Sequence, residues 1–197
     1  MKRMRIIAIT GGIGSGKSVV SRVVEAMGYD VYDCDREAKS LMDSSGSIKH
    51  DISTMIDATC ICDGAIDRKA LANIVFSDNE KLDRLNAIVH SAVRQHLAAW
   101  IDHRRSKGIC FVETAILYQS GLDAMVSEVW EVDAPDEMRI MRVMRRNNLS
   151  RTEVEARIHS QDSYIPDRRH NICHIINNDG DTPVLPRIEL LLSAESQ

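Results

Sequence analysis

At 197 residues the chain can form one domain with a sizeable hydrophobic core and a small inserted subdomain. Hydrophobic residues at 44% and charged residues at 27% are ordinary for a soluble globular protein, and no apolar stretch approaches the length of a membrane span. A net charge of −4 and an isoelectric point near 6.0 argue against nucleic acid as the main partner. The apolar run 4–10 predicts a first strand. Lys2, Arg3 and Arg5 precede or open it, but it is short and lacks a small-residue cleavage site, so it reads as a core strand rather than a signal peptide. A helix follows over 17–27, with Val19, Val20, Val23, Val24 and Met27 at helical spacing, and Gly28 stops it. A short second strand is expected over 30–34. Helices are expected over 67–76 and 79–105, the second carrying Leu82, Leu85, Ile88, Val89, Ala92, Val93, Leu97 and Trp100 along one stripe. This long block between two strands reads as an inserted helical subdomain, placed where an acceptor substrate can be held. Further strands are expected over 108–114, 127–134 and 174–178. Pro135 opens a helix to about 147, Ser150 to Glu153 form a capping box for another through Gln161, and a terminal helix covers 182–193. Alternating strands and helices predict an α/β parallel sheet, and the continuous apolar runs Ile6–Ile9 and Ile109–Val112 suit strands covered on both faces.

Directly behind the first strand stands Gly11-Gly12-Ile13-Gly14-Ser15-Gly16-Lys17-Ser18, a match to G-x-x-x-x-G-K-[ST] between strand and helix. Loop N–H groups in such a setting converge on phosphate oxygens, aided by the helix dipole. Lys17 can reach the β and γ phosphates, and the Ser18 hydroxyl can ligate Mg²⁺. The chain is therefore expected to bind a nucleoside triphosphate.

Phosphoryl transfer also requires a group that orients the acceptor and cations that neutralise developing charge. Asp33 and Asp35 stand at the carboxyl end of the second strand, the end at which open parallel sheets bind ligands. If the chain stays extended, a spacing of two puts both carboxylates on one side. One can accept a proton from an acceptor hydroxyl and the other can act near Mg²⁺ through water; alternatively, Asp35 caps a helix starting at Arg36. Glu113, closing the third strand, either supports the metal's water shell or is an ordinary strand-end carboxylate. Arg139, Arg142, Arg145, Arg146, Arg151 and Arg157 form either a solvated basic face or a mobile arginine lid. Five scattered cysteines, odd in number and without a CxxC, point to reduced thiols in a cytoplasm. Among seven histidines there is no HExxH and no zinc spacing, so His50, His96, His103 and His159 read as surface or helix-face residues.

Thr10 to Ser18 followed by Tyr32-Asp33-Cys34-Asp35 resembles the dephospho-CoA kinase family, whose hallmark is TGGIGSGKS and then an Asp-x-Asp pair. Asp63-Gly64-Ala65-Ile66-Asp67-Arg68-Lys69-Ala70-Leu71-Ala72 through Val75-Phe76 resembles that family's DG-x-IDR-x-x-LA…VF segment. Leu85 to His90, Arg142 with Arg146, Arg157 with Gln161, and Asn178-Asp179-Gly180 extend the likeness from residue 6 to about 180. Val19 stands where Thr is common, Ser91 replaces a usual Pro, Ala115 to Gln119 replaces PLLFE, and Cys173 replaces a frequent Asp. None of these departures touches the phosphate cradle, Lys17, Ser18 or Asp35.

The resemblance implies a P-loop NTPase-type three-layer fold with a central five-stranded parallel sheet. Its core would cover about 1–35, 107–134 and 172–197, with a helical CoA-binding subdomain over about 36–106 and a helical lid over about 135–171. It implies ATP-dependent phosphorylation of the 3′-hydroxyl of dephospho-CoA, giving CoA and ADP, with Mg²⁺ accompanying ATP. Asp35 would be the base or orienting group, assisted by Asp33. Gly12, Ile13, Gly14, Ser15, Gly16, Lys17, Ser18 and Val19 would hold ATP with Arg142, a lid arginine, and with Asn178 near the adenine. Asp33, Arg68 and His90 would contact the acceptor, although Arg68 can instead pair with Asp63 or Asp67 at a helix start and His90 can be a helix-face histidine. Ser18 would ligate Mg²⁺, with Asp33 or Glu113 acting through water. The expected partners are ATP and dephospho-CoA, with no nucleic acid or membrane, in a cytoplasmic monomer or small homo-oligomer. A competing class is a nucleotide switch or assembly ATPase, but the chain has neither an N-K-x-D base-reading motif nor an LSGGQ stretch.

Overall fold

The computed structural model describes residues 4–162 and 170–194. Residues 1–3, which include Lys2 and Arg3, residues 163–169 of the expected lid, and residues 195–197 lie outside the described residues. Apolar continuity without alternation makes β1 (Arg5–Thr10) a strand buried on both faces, with Ile7, Ala8 and Ile9 fully enclosed. It pairs in parallel with β5 (Ile109–Glu113) and β6 (Glu128–Asp133), placing Ile9 between Glu113 and Trp130. β6 pairs in parallel with β7 (Cys173–Asn177), and β2 (Val31–Asp33) closes the other edge in the order β2-β5-β1-β6-β7. This is the five-stranded parallel sheet expected from the sequence. Ligands of such sheets bind beyond the carboxyl ends of the strands, so the end of β1 is where a site should form.

Two helices, α1 (Lys17–Ala26) and α8 (Val184–Ser193), close a core of Ile7, Ile9, Val20, Val24, Phe111, Trp130, Val132, Ile176, Ile188 and Leu191. Phe111 meets Tyr29 and Trp130 edge-on, with ring centroids 5.6 and 5.1 Å away, the arrangement that the aromatic quadrupole favours. Arg5 ties α8 to the sheet: its Nε donates to Glu128 at 2.8 Å, and its other nitrogens donate to the carbonyls of Leu191 and Leu192 in the last turn of α8.

A helical hairpin of α6 (Asp136–Asn147) and α7 (Arg151–Asp162) encloses its own apolar cluster of Ile140, Val143, Val154 and Ile158. Asn148 turns the chain between them at a φ of 52°. The expected capping box forms: Ser150 N–H donates to the Glu153 carboxylate at 2.8 Å, and Glu153 N–H donates to Ser150 Oγ at 3.4 Å. Hydrogen bonds from Arg151 hold the Glu137 carboxyl below the usual carboxylate range and link the two helices.

Contacts divide the chain into two compact units, residues 1–32 with 104–197 and residues 33–103. The second unit contains α2 (Cys34–Ser44), α3 (Gly46–Met55), the hairpin β3 (Ile61–Cys62) with β4 (Ala65–Ile66), α4 (Arg68–Phe76) and α5 (Asn79–Asp102). Ile48, Ile52, Ile56, Cys60, Leu71, Val75 and Ile88 form its core. Helix α3 has no counterpart among the expected elements, and α2 corresponds to the alternative in which a helix starts at Arg36. The buried residue of α2 is Cys34, with Leu41 and Met42 partly buried against the core, and those of α3 are Ile48 and Ile52. The second strand is shorter than its expected 30–34, because Cys34 already belongs to α2.

Candidate active site

The phosphate loop leaves the carboxyl end of β1 and enters α1. Gly16 stands at the N-terminus of α1 with a φ of 95°, a conformation that costs a side-chain-bearing residue free energy, and an added Cβ would overlap Asn178 Nδ2. Among the described helices, α2 to α5 each carry a side-chain cap, from Asp33, Ser45, Asp67 and Asp78. Helix α1, following the glycine-rich loop, has no such cap and no acidic residue in its first turn, features it shares with α8. In α1 the glycine-rich loop in front of the first N–H groups makes them and the helix dipole suited to an anion. Lys17 Nζ donates to the carbonyls of Gly11 at 2.9 Å and Gly12 at 3.3 Å, which keeps its charge on the loop. Ser18 and Val19 are exposed, and Ser15 is buried.

Two arginines of α6 reach this loop. Arg142 donates to the carbonyls of Gly14 and Ser15 at 3.4 and 3.3 Å and to Asn178 O at 2.9 Å. Asn178 Nδ2 donates to Ser15 O at 2.8 Å, so Arg142 and Asn178 meet at one turn of the loop. Arg139, buried, donates from Nε to Ile13 O at 3.0 Å and from Nη1 to Asp136 at 2.9 Å. The arginine-rich segment is therefore not a uniform solvated face. Arg145, Arg146, Arg151 and Arg157 are exposed, whereas Arg139 and Arg142 grip the loop backbone. Gln161, near the end of α7, bonds both Ile13 N–H and Ala115 O. Sequence reasoning did not assign roles to Arg139 and Gln161. Arg139 stood within the arginine run and Gln161 within a matched block, but neither signal identifies the backbone that each side chain meets.

Glu113 is half-buried at the end of β5 and in register with Ile9, two residues before the loop. A cavity of about 520 Å³ opens beside the loop and is lined by Thr10 to Gly12, Ala115 to Gln119, Glu131 to Asp133, Arg139, Gln161 and Ile175. Its wall includes the 115–119 segment, where the sequence departs from the family pattern.

The remaining sequence-predicted residues belong to the 33–103 unit. Asp33 caps α2 by accepting Arg36 N–H at 3.0 Å, and Asp35 is exposed in the first turn of that helix. The cap is thus Asp33, not Asp35, and the helix starts at Cys34 rather than Arg36. Because the chain turns helical there, extended alternation does not align the two carboxylates. Arg68 opens α4 and pairs with Asp43 at 2.7 Å, not with Asp63 or Asp67. Asp67 is occupied as the cap of α4, accepting N–H bonds from Lys69 and Ala70. Asp63 and Gly64, both at positive φ, form the β3–β4 turn. His90 lies mid-way along α5, and burial, with Arg94 one turn on, lowers its pKa below the usual histidine value. Among the described residues no group of three or more His, Cys, Asp or Glu could hold a metal ion, and no helix is long and apolar enough to cross a membrane.

A family model for dephospho-CoA kinase matches residues 5–183. A dephospho-CoA kinase of Bacteroides fragilis is 35% identical over 187 residues, covering 95% of this chain and 91% of the relative. A solved structure from Thermus thermophilus aligns over 100% of both chains with a TM-score of 0.80 and 33% identity. A dephospho-CoA kinase structure from Campylobacter jejuni shares the fold, with a TM-score of 0.65 and 24% identity over 95% of this chain and 94% of that one. With a phosphate loop of this geometry and relatives aligned nearly end to end, the chain belongs to the dephospho-CoA kinase family.

Proposed function

We propose that the chain transfers the γ-phosphoryl group of ATP to the 3′-hydroxyl of dephospho-CoA, giving CoA and ADP, with Asp35 as the base. The observation that carries this reading is the match over 5–183, which includes the phosphate loop, the Asp33–Asp35 pair and the Asp63–Phe76 block in one order. In this reading the Asp35 carboxylate accepts the hydroxyl proton as the acceptor oxygen bonds to the γ phosphorus. The bond from that phosphorus to the β–γ bridging oxygen breaks, and ADP leaves. The N–H groups at the start of α1 hold the phosphates, while Lys17 and Arg142 supply positive charge where the transition state spreads negative charge. Arg68 and His90 are assigned to the acceptor side and Asn178 to the nucleotide side.

Hard oxygen donors suit Mg²⁺, and the residues present fit it: the Ser18 hydroxyl is exposed at the start of α1, and the Glu113 carboxylate stands on the strand beside β1. Ser18 would hold the ion directly, with Glu113 or Asp33 acting through water. When bound, Mg²⁺ draws charge from the β and γ phosphates. Five scattered cysteines support a cytoplasmic setting.

A coupled ADP-release assay tests the proposal by comparing dephospho-CoA with nucleoside monophosphates and other hydroxylated acceptors. ADP release should depend on dephospho-CoA. Rapid ATP hydrolysis indifferent to any acceptor would overturn the kinase reading in favour of a switch ATPase.

A further inference from the structure

One residue of the phosphate loop, Ile13, is held from three sides by the α6–α7 hairpin. Its N–H donates to Gln161 Oε1 at 2.6 Å, and its carbonyl accepts from Arg139 Nε at 3.0 Å. Its side chain packs against the cluster of Ile140, Val143, Val154 and Ile158. Gln161 also donates from Nε2 to Ala115 O at 3.0 Å. A carboxamide accepts at one terminal atom and donates at the other, so an N–H on one side and a carbonyl on the other fix its orientation. Both bonds are partly shielded from water, which strengthens them electrostatically. Both also go to backbone atoms, so they do not depend on which side chains occupy 115–119. Loop amides of this kind ordinarily point at a bound anion. The Ile13 amide instead points to a side chain 148 positions away.

We propose that Gln161 is a positioning residue for phosphoryl transfer. Through Ile13 it sets the loop shape that receives the triphosphate, and through Ala115 it fixes the 115–119 wall to the same point. The proposal rests on the kinase reading above. Misplacing a reacting group by about 1 Å can cost on the order of 100-fold in rate, so loosening one loop peptide should appear in turnover before it appears in stability.

The test compares Gln161→Met, which keeps the length and loses both bonds, with Gln161→Glu, which keeps an acceptor for Ile13. Turnover with saturating ATP and dephospho-CoA should fall about tenfold or more in Gln161→Met, with KM for ATP changed less than about threefold and the melting temperature held. Amide exchange at Ile13, followed by NMR, should be slow in the wild type and in Gln161→Glu and fast in Gln161→Met. Turnover of Gln161→Met within about twofold of wild type would overturn the proposal. Equal protection of the Ile13 amide in all three proteins would overturn it as well. A turnover loss that tracked a fall in melting temperature would assign Gln161 a structural role and also overturn it. Wild-type turnover with dephospho-CoA tests the kinase reading separately, because the exchange measurement needs no turnover.

Discussion

Asp33 and Asp35 differ by two positions and by what their side chains can do. The Asp33 carboxylate is engaged with Arg36 N–H, whereas Asp35 is exposed in the first turn of α2. A general base must be accessible to its substrate, which favours Asp35 for that role. General-base catalysis contributes about 10²- to 10⁴-fold, so Asp35→Asn should lower turnover by about 100-fold or more while ATP affinity stays near wild type. Steady-state kinetics with nucleotide titration checks this, and full activity would remove Asp35 from the chemistry. His90 permits a second prediction, about pH. Burial disfavours its charged form, so its folded pKa lies below the unfolded value near 6.5. The unfolded chain then binds more protons as the pH falls, so the stability linked to His90 is full above about pH 6.5 and is lost as the pH drops through the folded pKa. In His90→Gln the decline in denaturant midpoint below that pH should be shallower than in the wild type. Identical slopes would show that other groups carry the acid sensitivity.

At the scale of elements, one block of sequence serves structure as well as any binding role. Asp63 and Gly64 turn a hairpin at φ values of 49° and 74°, and Asp67 then caps α4, one carboxylate oxygen accepting from the N–H groups of Lys69 and Ala70. The helix so started buries Leu71 and Val75 in the core of its unit. Asp67→Ala should therefore destabilise the protein by about 1 kcal/mol, and Asp67→Asn by much less, read as shifts in the denaturation midpoint. If the alanine variant unfolded at the wild-type midpoint, the block's likeness to its relatives would need a binding explanation alone. The elements also show what sequence pattern can convey. Strands β1 and β5 were legible because buried strands are continuously apolar, and α5 because its stripe repeats over many turns. The short helix α3 was not, because Ile48 and Ile52 alone are too few to mark a stripe, and α2 was legible only as the alternative helix starting at Arg36.

Over the whole molecule, the groups proposed to meet ATP come from distant parts of one unit. Gly11 to Ser18, Glu113, Arg142 and Asn178 are far apart in sequence; the parallel order β5-β1-β6-β7 brings the loop, Glu113 and Asn178 to strand ends, and Arg142 reaches the loop and Asn178 from α6. The phosphate loop was legible from its own residues, since the glycines, Lys17 and Ser18 of the motif stand within eight consecutive positions. The parallel sheet followed from the alternation of apolar strands with helices. The ordered motifs carried the family. Only the tertiary structure decided that Arg139 and Gln161 hold Ile13 across 126 and 148 positions, that Arg68 pairs with Asp43, and that Asp33 rather than Asp35 caps α2. The physical reason is range. Periodicity, glycine turns and phosphate cradles arise from neighbouring residues, whereas the choice of partner for a long polar side chain depends on which backbone the completed fold brings within hydrogen-bond reach.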